Sequence, residues 1–187
     1  MSEFQHPIPP SPWVTRFASL IPDDGQILDL ACGKGRHTRY LAEQGRRVCA
    51  VDRNEEALNS LKGIAGVEIL AADLETGNPW PLAGRKFAGI VVATYLHRPS
   101  IPAIIGALAE NGILIYETFA LGNEAYGKPS NPDFLLRPGE LLDVVRGKLQ
   151  VVAFEQGKRN TPRPAIIQRI CAVNSAGTTG ITVPVQT

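Results

Sequence analysis

Disulfide frameworks, metal sites and membrane spans have little support in this sequence of 187 residues. The three cysteines, Cys32, Cys49 and Cys171, are widely spaced, and none belongs to a Cys-x-x-Cys pair. An odd and scattered set predicts no disulfide framework and no metal site, and it is typical of reduced thiols in a cytoplasmic protein. The first residues lack the apolar segment of a signal peptide, and no apolar run is long enough to cross a bilayer.

An excess of charge of one sign is also missing, because 19 Lys and Arg residues oppose 18 Asp and Glu residues. The net charge of +1 gives no broad basic field that could attract nucleic acid or anionic lipid. These numbers leave room only for a small basic patch. We therefore expect no membrane partner and no nucleic-acid partner, and we expect a small-molecule substrate instead.

The hydrophobic content of 44% can supply one sizeable core, and the length fits one domain. We place that domain at residues 1–173. Within it, residues 1–12 carry four prolines, which oppose helix and strand alike and predict a flexible lead-in. Residues 174–187 are rich in Gly, Thr and Ser and predict a disordered tail.

Short apolar segments alternate with segments of helical periodicity between these ends. Strands are predicted at residues 26–31, 48–51, 67–71, 87–93 and 113–119, followed by an antiparallel hairpin of 149–154 with 165–173. Helices are predicted at residues 13–20 and 36–44, after caps at Asn54 and Ser100 (with Leu108 on the apolar face of the latter), and from Pro138 to about Arg146. The alternation predicts an α/β protein, a Rossmann-like three-layer sandwich with a mostly parallel seven-stranded sheet.

The most informative stretch runs from Ile27 to His37, where an apolar strand leads into a tight turn that opens a helix. Gly33 and Gly35 allow the backbone to turn sharply and to approach a ligand closely. The helix that follows presents unpaired N–H groups at its first turn. Such a turn alone is a weak signal, because many α/β proteins contain one.

Two further acids end the next two predicted strands. Asp52 lies roughly 20 residues past the glycine loop, where Rossmann-like folds place a ribose-binding carboxylate. Asp73 could accept a hydrogen bond from an adenine amine. Together with Asp29 these acids predict an adenosine ligand at the carboxyl edge of the sheet. A nicotinamide dinucleotide is disfavoured, because Thr38 stands where its fingerprint has a third glycine and Asp29 precedes the loop.

As a set, residues 28–42, 48–58, 71–76 and 87–93 resemble the successive motifs of class I S-adenosylmethionine-dependent methyltransferases, and the tellurite-resistance-type and related small-molecule members are the nearest in pattern. The resemblance implies S-adenosylmethionine as cofactor. It places Asp29, Gly33 and Gly35 at the methionine part, Asp52 at the ribose, Arg53 and Asp73 with Leu74 at the adenine, and Ala93 near the sulfonium. The neighbouring small residues Ala31, Cys32 and Ala72 complete the implied cofactor set.

The chain departs from part of the family after the fourth strand. Methyltransferases that act on adenine or glutamine amines carry Asn/Asp-Pro-Pro-Tyr/Phe there, whereas this chain has Ala93-Thr94-Tyr95-Leu96-His97. That reaction class is therefore not expected. His97 is the candidate general base, with a surface histidine that caps a turn as the equal alternative.

Substrate-side candidates surround the same edge of the predicted sheet. Each has a structural alternative: Trp13 and Tyr95 could pack in the core, and Glu117 could cap a turn. The long loop of residues 120–136 is the candidate lid, or else disordered. The substrate-side candidates are Trp13, Tyr95, Glu117, Asn123, Tyr126, Asn131 and Phe134.

Two groups of basic residues are interpreted as solvated. Arg36 and His37 begin a helix, where charged residues are usually exposed. Lys158, Arg159, Arg163 and Arg169 lack interleaved aromatic residues, so an anionic substrate or RNA end is the minor alternative. The function predicted overall is methyl transfer to a small molecule. The alternatives are an NAD-type oxidoreductase, a non-catalytic binder of an adenosine ligand, and a protein-binding platform built on the long loop.

Overall fold

The computed structural model describes residues 8–175. The predicted flexibility of residues 1–7 and disorder of residues 176–187 fall on parts of the chain outside this range. Seven strands form one sheet in the order β3-β2-β1-β4-β5-β7-β6. They are β1 (Gln26–Leu30), β2 (Arg47–Asp52), β3 (Val67–Ala71), β4 (Phe87–Ala93), β5 (Leu108–Phe119), β6 (Gln150–Arg159) and β7 (Ala165–Val173).

Strands β1 to β5 run parallel to one another, and β7 is antiparallel to both β5 and β6. The predicted mostly parallel sheet with a C-terminal antiparallel hairpin is confirmed. All seven residues of β4 are buried, as expected for a central strand covered on both faces. The strand order reverses direction between β1 and β4, which is where open parallel sheets bind their ligands.

Five helices cover the sheet: α1 (Pro12–Phe17), α2 (Arg36–Glu43), α3 (Glu55–Asn59), α4 (Ile101–Gly106) and α5 (Glu140–Val145). On one face, Trp13 of α1 and Leu41 of α2 share a core with Ile27 and Val48. On the other face, residues of α4 and α5 pack on alternate residues of the same strands. Within residues 8–175, none of these helices is long and apolar enough to cross a membrane.

The N-terminal segment is more ordered than the prediction for residues 1–12. Ser11 is buried, and its side-chain oxygen accepts a hydrogen bond from the Trp13 N–H at 3.2 Å. Pro12 is the first residue of α1, a position that proline tolerates because its missing N–H would have no partner there. The predicted lead-in is therefore wrong at these two residues, which begin the fold.

The prediction for the helix before β5 is wrong in two details. Ser100 precedes α4 but has helical dihedral angles, and its side chain makes no capping bond. Leu108 lies in β5, paired with Phe87 of β4, because α4 ends at Gly106. The apolar spacing that predicted a longer helix came from the first residue of the following buried strand. Asn54 does cap α3, through a hydrogen bond from the Ala57 N–H.

Candidate functional site

The carboxyl ends of β1, β2, β3 and β4 surround a cavity of about 160 Å³. Eight residues line it, and seven of them are site residues predicted from the sequence. Glu75 is the lining residue that sequence reasoning missed, although it lies only two positions after Asp73. The lining residues are Ala31, Asp52, Arg53, Ala72, Asp73, Leu74, Glu75 and Tyr95.

The loop between β1 and α2 is shaped by left-handed backbone angles at Ala31, Gly33 and Gly35. A Cβ added at Gly33 would meet no atom within 4 Å, whereas one at Gly35 would lie 2.4 Å from Leu61. Gly33 thus leaves open space above the loop, and Gly35 allows the loop to pack closely on the chain below it. Glycine is the residue that reaches both conformations at low cost.

Asp52 at the end of β2 is held by two backbone donors. The N–H of Gly33 donates to Oδ2 at 2.7 Å, and the N–H of Asn54 donates to Oδ1 at 2.8 Å. Each oxygen keeps a second acceptor position, since a carboxylate offers about four. The carboxylate is therefore fixed at the cavity wall and can still accept hydrogen bonds from a pair of ligand hydroxyls.

The far end of the cavity carries an acid and an unsatisfied phenol. Arg53 lies 4.0 Å from Asp73, and the N–H of Glu75 donates to Asp73 Oδ1 at 2.9 Å. The hydroxyl of Tyr95 is buried without a hydrogen-bond partner among the described residues. Burial, and next the nearby Glu75, raise the pKa of Tyr95 to about 12, so it stays a neutral donor. These donors and acceptors fit the edge of an adenine ring.

Three predicted cofactor residues, Asp29, Cys32 and Ala93, do not line the cavity. The carboxylate of Asp29 is buried and accepts a 2.6 Å hydrogen bond from Thr38 Oγ1, so here it fastens α2 to β1. Burial raises the pKa of Asp29 to about 6. Cys32 is buried, and desolvation raises the pKa of its thiol. The thiol therefore stays protonated and is a poor nucleophile. Ala93 is buried at the end of β4, beside Glu117 of β5.

His97 lies four residues beyond β4 and is partly buried. Its Nδ1 is 2.6 Å from Ser100 Oγ, and Ser100 Oγ is 3.4 Å from the carbonyl oxygen of Leu74. If Ser100 donates to Leu74, then Nδ1 must donate to Ser100. That tautomer leaves Nε2 as the acceptor, which is the form a general base requires. The sequence predicts Ser100 only as a helix cap, and its contact with His97 is a finding of the structure.

Several predicted substrate-side residues have structural roles. Trp13 is 1% exposed, and its indole N–H donates to the Ile170 carbonyl, so it belongs to the core. Asn123 is also 1% exposed and ties the 120–136 loop to β7 by accepting from the Ile166 N–H. Asn131 caps a short 3₁₀ turn. Tyr126 and Phe134 are exposed, as are Leu121 and Asn131 of the same loop.

The 120–136 loop is ordered, because it contains two 3₁₀ turns and buries Leu135 and Leu136. Arg98 holds it from below by donating to the carbonyl oxygens of Asp133 and Leu135 at 2.6 and 2.9 Å. Its guanidinium also forms a forked pair with Glu140 of α5. The predicted lid is thus anchored at its C-terminal end.

Glu117 is 2% exposed at the end of β5 and is the centre of a polar cluster. Its carboxylate accepts from Ser11 Oγ at 2.9 Å and pairs with Arg169 at 3.3 Å. His37 is buried rather than solvated, and its Nε2 accepts from the Ser11 N–H at 3.1 Å. Burial lowers the pKa of His37 to about 3 and keeps it neutral. Within residues 8–175, no group of acidic, His and Cys side chains is arranged to hold a metal.

A family model described as a methyltransferase domain matches residues 27–111. The ribosomal RNA small subunit methyltransferase A of Rhodopseudomonas palustris (strain BisB5) is 38% identical over 92 residues. These residues cover 46% of this chain and 32% of that protein. The chain therefore spans about a third of the length of the curated relatives that it matches first.

Two solved structures show the same fold. TehB from Haemophilus influenzae matches with a TM-score of 0.68 and 18% identity, over 87% of this chain and 61% of that one. A TehB-like SAM-dependent methyltransferase from Corynebacterium glutamicum matches with a TM-score of 0.63 and 20% identity. That second match covers 87% of this chain and 86% of the other.

Proposed function

We propose that this chain is a class I S-adenosylmethionine-dependent methyltransferase that transfers a methyl group from S-adenosylmethionine to a small-molecule acceptor. The methyltransferase-domain match over residues 27–111 and the fold shared with the two TehB-type structures support the proposal. The observation that carries the proposal is the cavity at the edge of β1 to β4. The Asp52 carboxylate, which is fixed by backbone N–H groups, the Asp73 carboxylate and the unsatisfied Tyr95 hydroxyl belong to residues that line this one cavity. These groups fit the hydroxyls of a ribose and the polar edge of an adenine.

Each part of the cofactor has residues that would hold it. Asp52 would accept from the ribose hydroxyls, and Asp73 with Leu74 and Arg53 would flank the adenine. The open space above Gly33 would receive the methionine part, next to Ala31 and Cys32. Asp29 would act on this part from beneath the loop, through the helix start that it fixes by way of Thr38.

When bound, S-adenosylmethionine supplies an electrophilic methyl group on a sulfonium that is itself a good leaving group. The protein then mainly positions the acceptor and excludes water. His97 is the residue proposed to take a proton from an acceptor that arrives protonated. In the tautomer whose Nδ1–H donates to Ser100, Nε2 is the atom that would take that proton.

A small acceptor is favoured over a nucleic acid by two features of the chain. The net charge of +1 offers no extended field for a polyanion. The segment at the end of β4 is Ala93-Thr94-Tyr95-Leu96-His97, and it lacks the Pro-Pro motif that is typical of adenine methyltransferases. The ribosomal RNA named for the Rhodopseudomonas relative is therefore not proposed as the substrate. The buried thiols of Cys32, Cys49 and Cys171 favour a reducing cytoplasmic location.

Calorimetric titration with S-adenosylmethionine tests the cofactor, with NAD titrated in parallel. We expect micromolar binding of S-adenosylmethionine alone. Asp52→Ala should weaken it about 30-fold or more, because two hydrogen bonds to a charged group are lost. Asp143→Ala, at an exposed acid of α5, is the matched control and should bind like the parent protein. Binding of NAD but not S-adenosylmethionine would refute the proposed function and favour an NAD-dependent oxidoreductase.

A further inference from the structure

The polar cluster around Glu117 is rich in arginine. Its guanidiniums come from α1, α2, β6 and β7, and its two carboxylates are Glu117 and Glu155. Arg169 bridges both carboxylates, and Arg16 lies 3.6 Å from Glu155. Four arginines and two glutamates therefore meet in this cluster. The arginines are Arg16, Arg36, Arg159 and Arg169.

Arg36 is the first residue of α2, directly after the Gly35 loop residue, and it is only partly exposed. Its guanidinium has no hydrogen-bond or ion-pair partner among residues 8–175. Desolvation lowers the pKa of Arg36, while Glu117 raises it and Arg159 lowers it further. Ser11 places the start of α2 beside Glu117, because its N–H donates to Nε2 of His37 and its Oγ donates to the Glu117 carboxylate.

Arg159 at the end of β6 also has a hydrogen-bond donor without a partner among the described residues. Its Nε is buried without a hydrogen-bond partner in the described part of the chain. Its remaining contact with Glu117 is long, at 3.8 Å, because Ser11 and Arg169 already occupy that carboxylate. The guanidinium also lies over the ring of Phe119, 5.9 Å from its centroid. Partly buried guanidiniums with unused donors on neighbouring elements are suited to binding an anion.

The location of this pair connects it to methyl transfer. Arg36 follows the loop that flanks the cavity, and Glu117 is the β5 neighbour of Ala93 at the end of β4. We propose that Arg36 and Arg159 bind an anionic group, a carboxylate or a phosphate, on the methyl acceptor. The proposal rests on the proposed function and adds the class of acceptor: a small acid rather than a neutral or cationic molecule.

The test is a titration of ¹⁵N-labelled protein, saturated with S-adenosylhomocysteine, with inorganic phosphate and separately with acetate at constant ionic strength. We expect millimolar binding of at least one anion, with shifts at Arg36 and Arg159. Arg36→Gln and Arg159→Gln should weaken that binding about tenfold or more, because a charge-assisted, forked contact is lost. Arg146→Gln, at an exposed arginine of α5, should leave it unchanged.

Two results would overturn the proposal. One is the absence of binding by either anion, or binding that Arg36→Gln does not weaken. The other is a loss of S-adenosylhomocysteine affinity in Arg36→Gln while 5′-methylthioadenosine, which lacks the amino acid part, binds as before. That result would assign the arginines to the carboxylate of the cofactor.

Failure of the proposed function is recognised separately. A wild-type protein that binds neither S-adenosylmethionine nor S-adenosylhomocysteine would refute the cofactor assignment. The same anion titration on the unliganded protein would still report whether Arg36 and Arg159 form an anion site. Arg36→Gln removes no hydrogen bond seen in residues 8–175, so thermal unfolding should show a folded variant.

Discussion

Along the edge of the sheet, the β1–β4 side and the β5–β7 side are held together by contacts of different range. On the first side, Asp52 binds the N–H groups of Gly33 and Asn54, which are 19 and 2 positions from it in the chain. On the second side, Glu117 binds Ser11 and Arg169, which are separated from it by 106 and 52 positions. The first side is built from backbone turns, and the second from ion pairs between distant elements.

This contrast bears on how the two sides can change. A cavity made of backbone turns and a few small residues tolerates little variation, because each turn fixes the position of a residue in the cavity wall. An ion-pair cluster is made of side chains that can be exchanged singly without altering the sheet. The β1–β4 side thus suits a fixed cofactor, and the β5–β7 side suits an acceptor that differs between proteins of one fold.

The largest effect is expected at the backbone of the β1–β4 side. Gly35→Ala adds a Cβ that would lie 2.4 Å from Leu61, at a φ of +72°. We expect a loss of about 3 kcal/mol in the free energy of unfolding, from left-handed strain and overpacking together. Urea denaturation measures it.

Gly33→Ala separates strain from packing, because it adds a Cβ at a similar φ of +56° with no atom within 4 Å. Its loss should be about 1 kcal/mol, from strain alone. Equal losses in the two variants would mean that the contact with Leu61 does not hold the loop.

The next effect tests the ion pairs of the other side. Glu140→Ala leaves Arg98, which holds the 120–136 loop, without its forked carboxylate. We expect a loss of about 2 kcal/mol, below the full cost of breaking a buried pair because Arg98 is partly exposed. Urea denaturation should show it, and Asp143→Ala on the same helix should lose at most about 0.5 kcal/mol.

The same pair has a defined pH dependence. Burial raises the pKa of Glu140, but hydrogen bonds from Arg98 and Arg137 outweigh burial and hold the pKa below its ordinary value of 4.5. The pair therefore stabilises the fold above about pH 4.5 and loses this contribution as the pH falls below that value. A difference between parent and Glu140→Ala that persists unchanged at low pH would contradict the ion-pair account.

The range of contacts also explains which parts could be predicted from sequence. The fold and the cavity residues Asp52 and Asp73 follow from strand ends and glycine turns, which are local patterns. Glu75 was missed because it carries no motif of its own. The resemblance places Asp29 at the methionine part of the cofactor, whereas its side chain accepts a hydrogen bond from Thr38. The direction in which a side chain near the end of a strand points depends on tertiary packing.

The β5–β7 side could not be predicted in the same way. Arg36 and His37 were interpreted as solvated because charged residues usually are at a helix start. Their partial or full burial comes from Ser11, Glu117 and Arg159, which only the tertiary structure brings near them. Trp13 was assigned to the substrate side, whereas its burial against β7 became visible only with the antiparallel hairpin in place.

A smaller effect returns to the β1–β4 side. Burial raises the pKa of Asp29 from 3.8 to about 6, so folding favours the protonated acid. The folded protein then binds more protons than the unfolded chain between these values, and stability falls as pH rises from about 4 to 6. Asp29→Asn should remove this cost, so the variant should be more stable than the parent at pH 8 and equally stable at pH 4. Urea titrations across pH, with Asp143→Asn as control, measure it.

The smallest effect concerns the joint between the two sides. Tyr116 of β5 is buried, and its hydroxyl donates to the carbonyl oxygen of Tyr95, a residue of the cavity wall, at 2.9 Å. Tyr116→Phe should cost about 1 kcal/mol, because the buried carbonyl loses its donor. Tyr40→Phe, at a partly buried tyrosine of α2, should change stability by less than about 0.5 kcal/mol. If Tyr116→Phe also weakens S-adenosylmethionine binding while Tyr40→Phe does not, then β5 positions the cavity wall, and the two sides are coupled through this bond. If stability falls but binding does not, the two sides act independently.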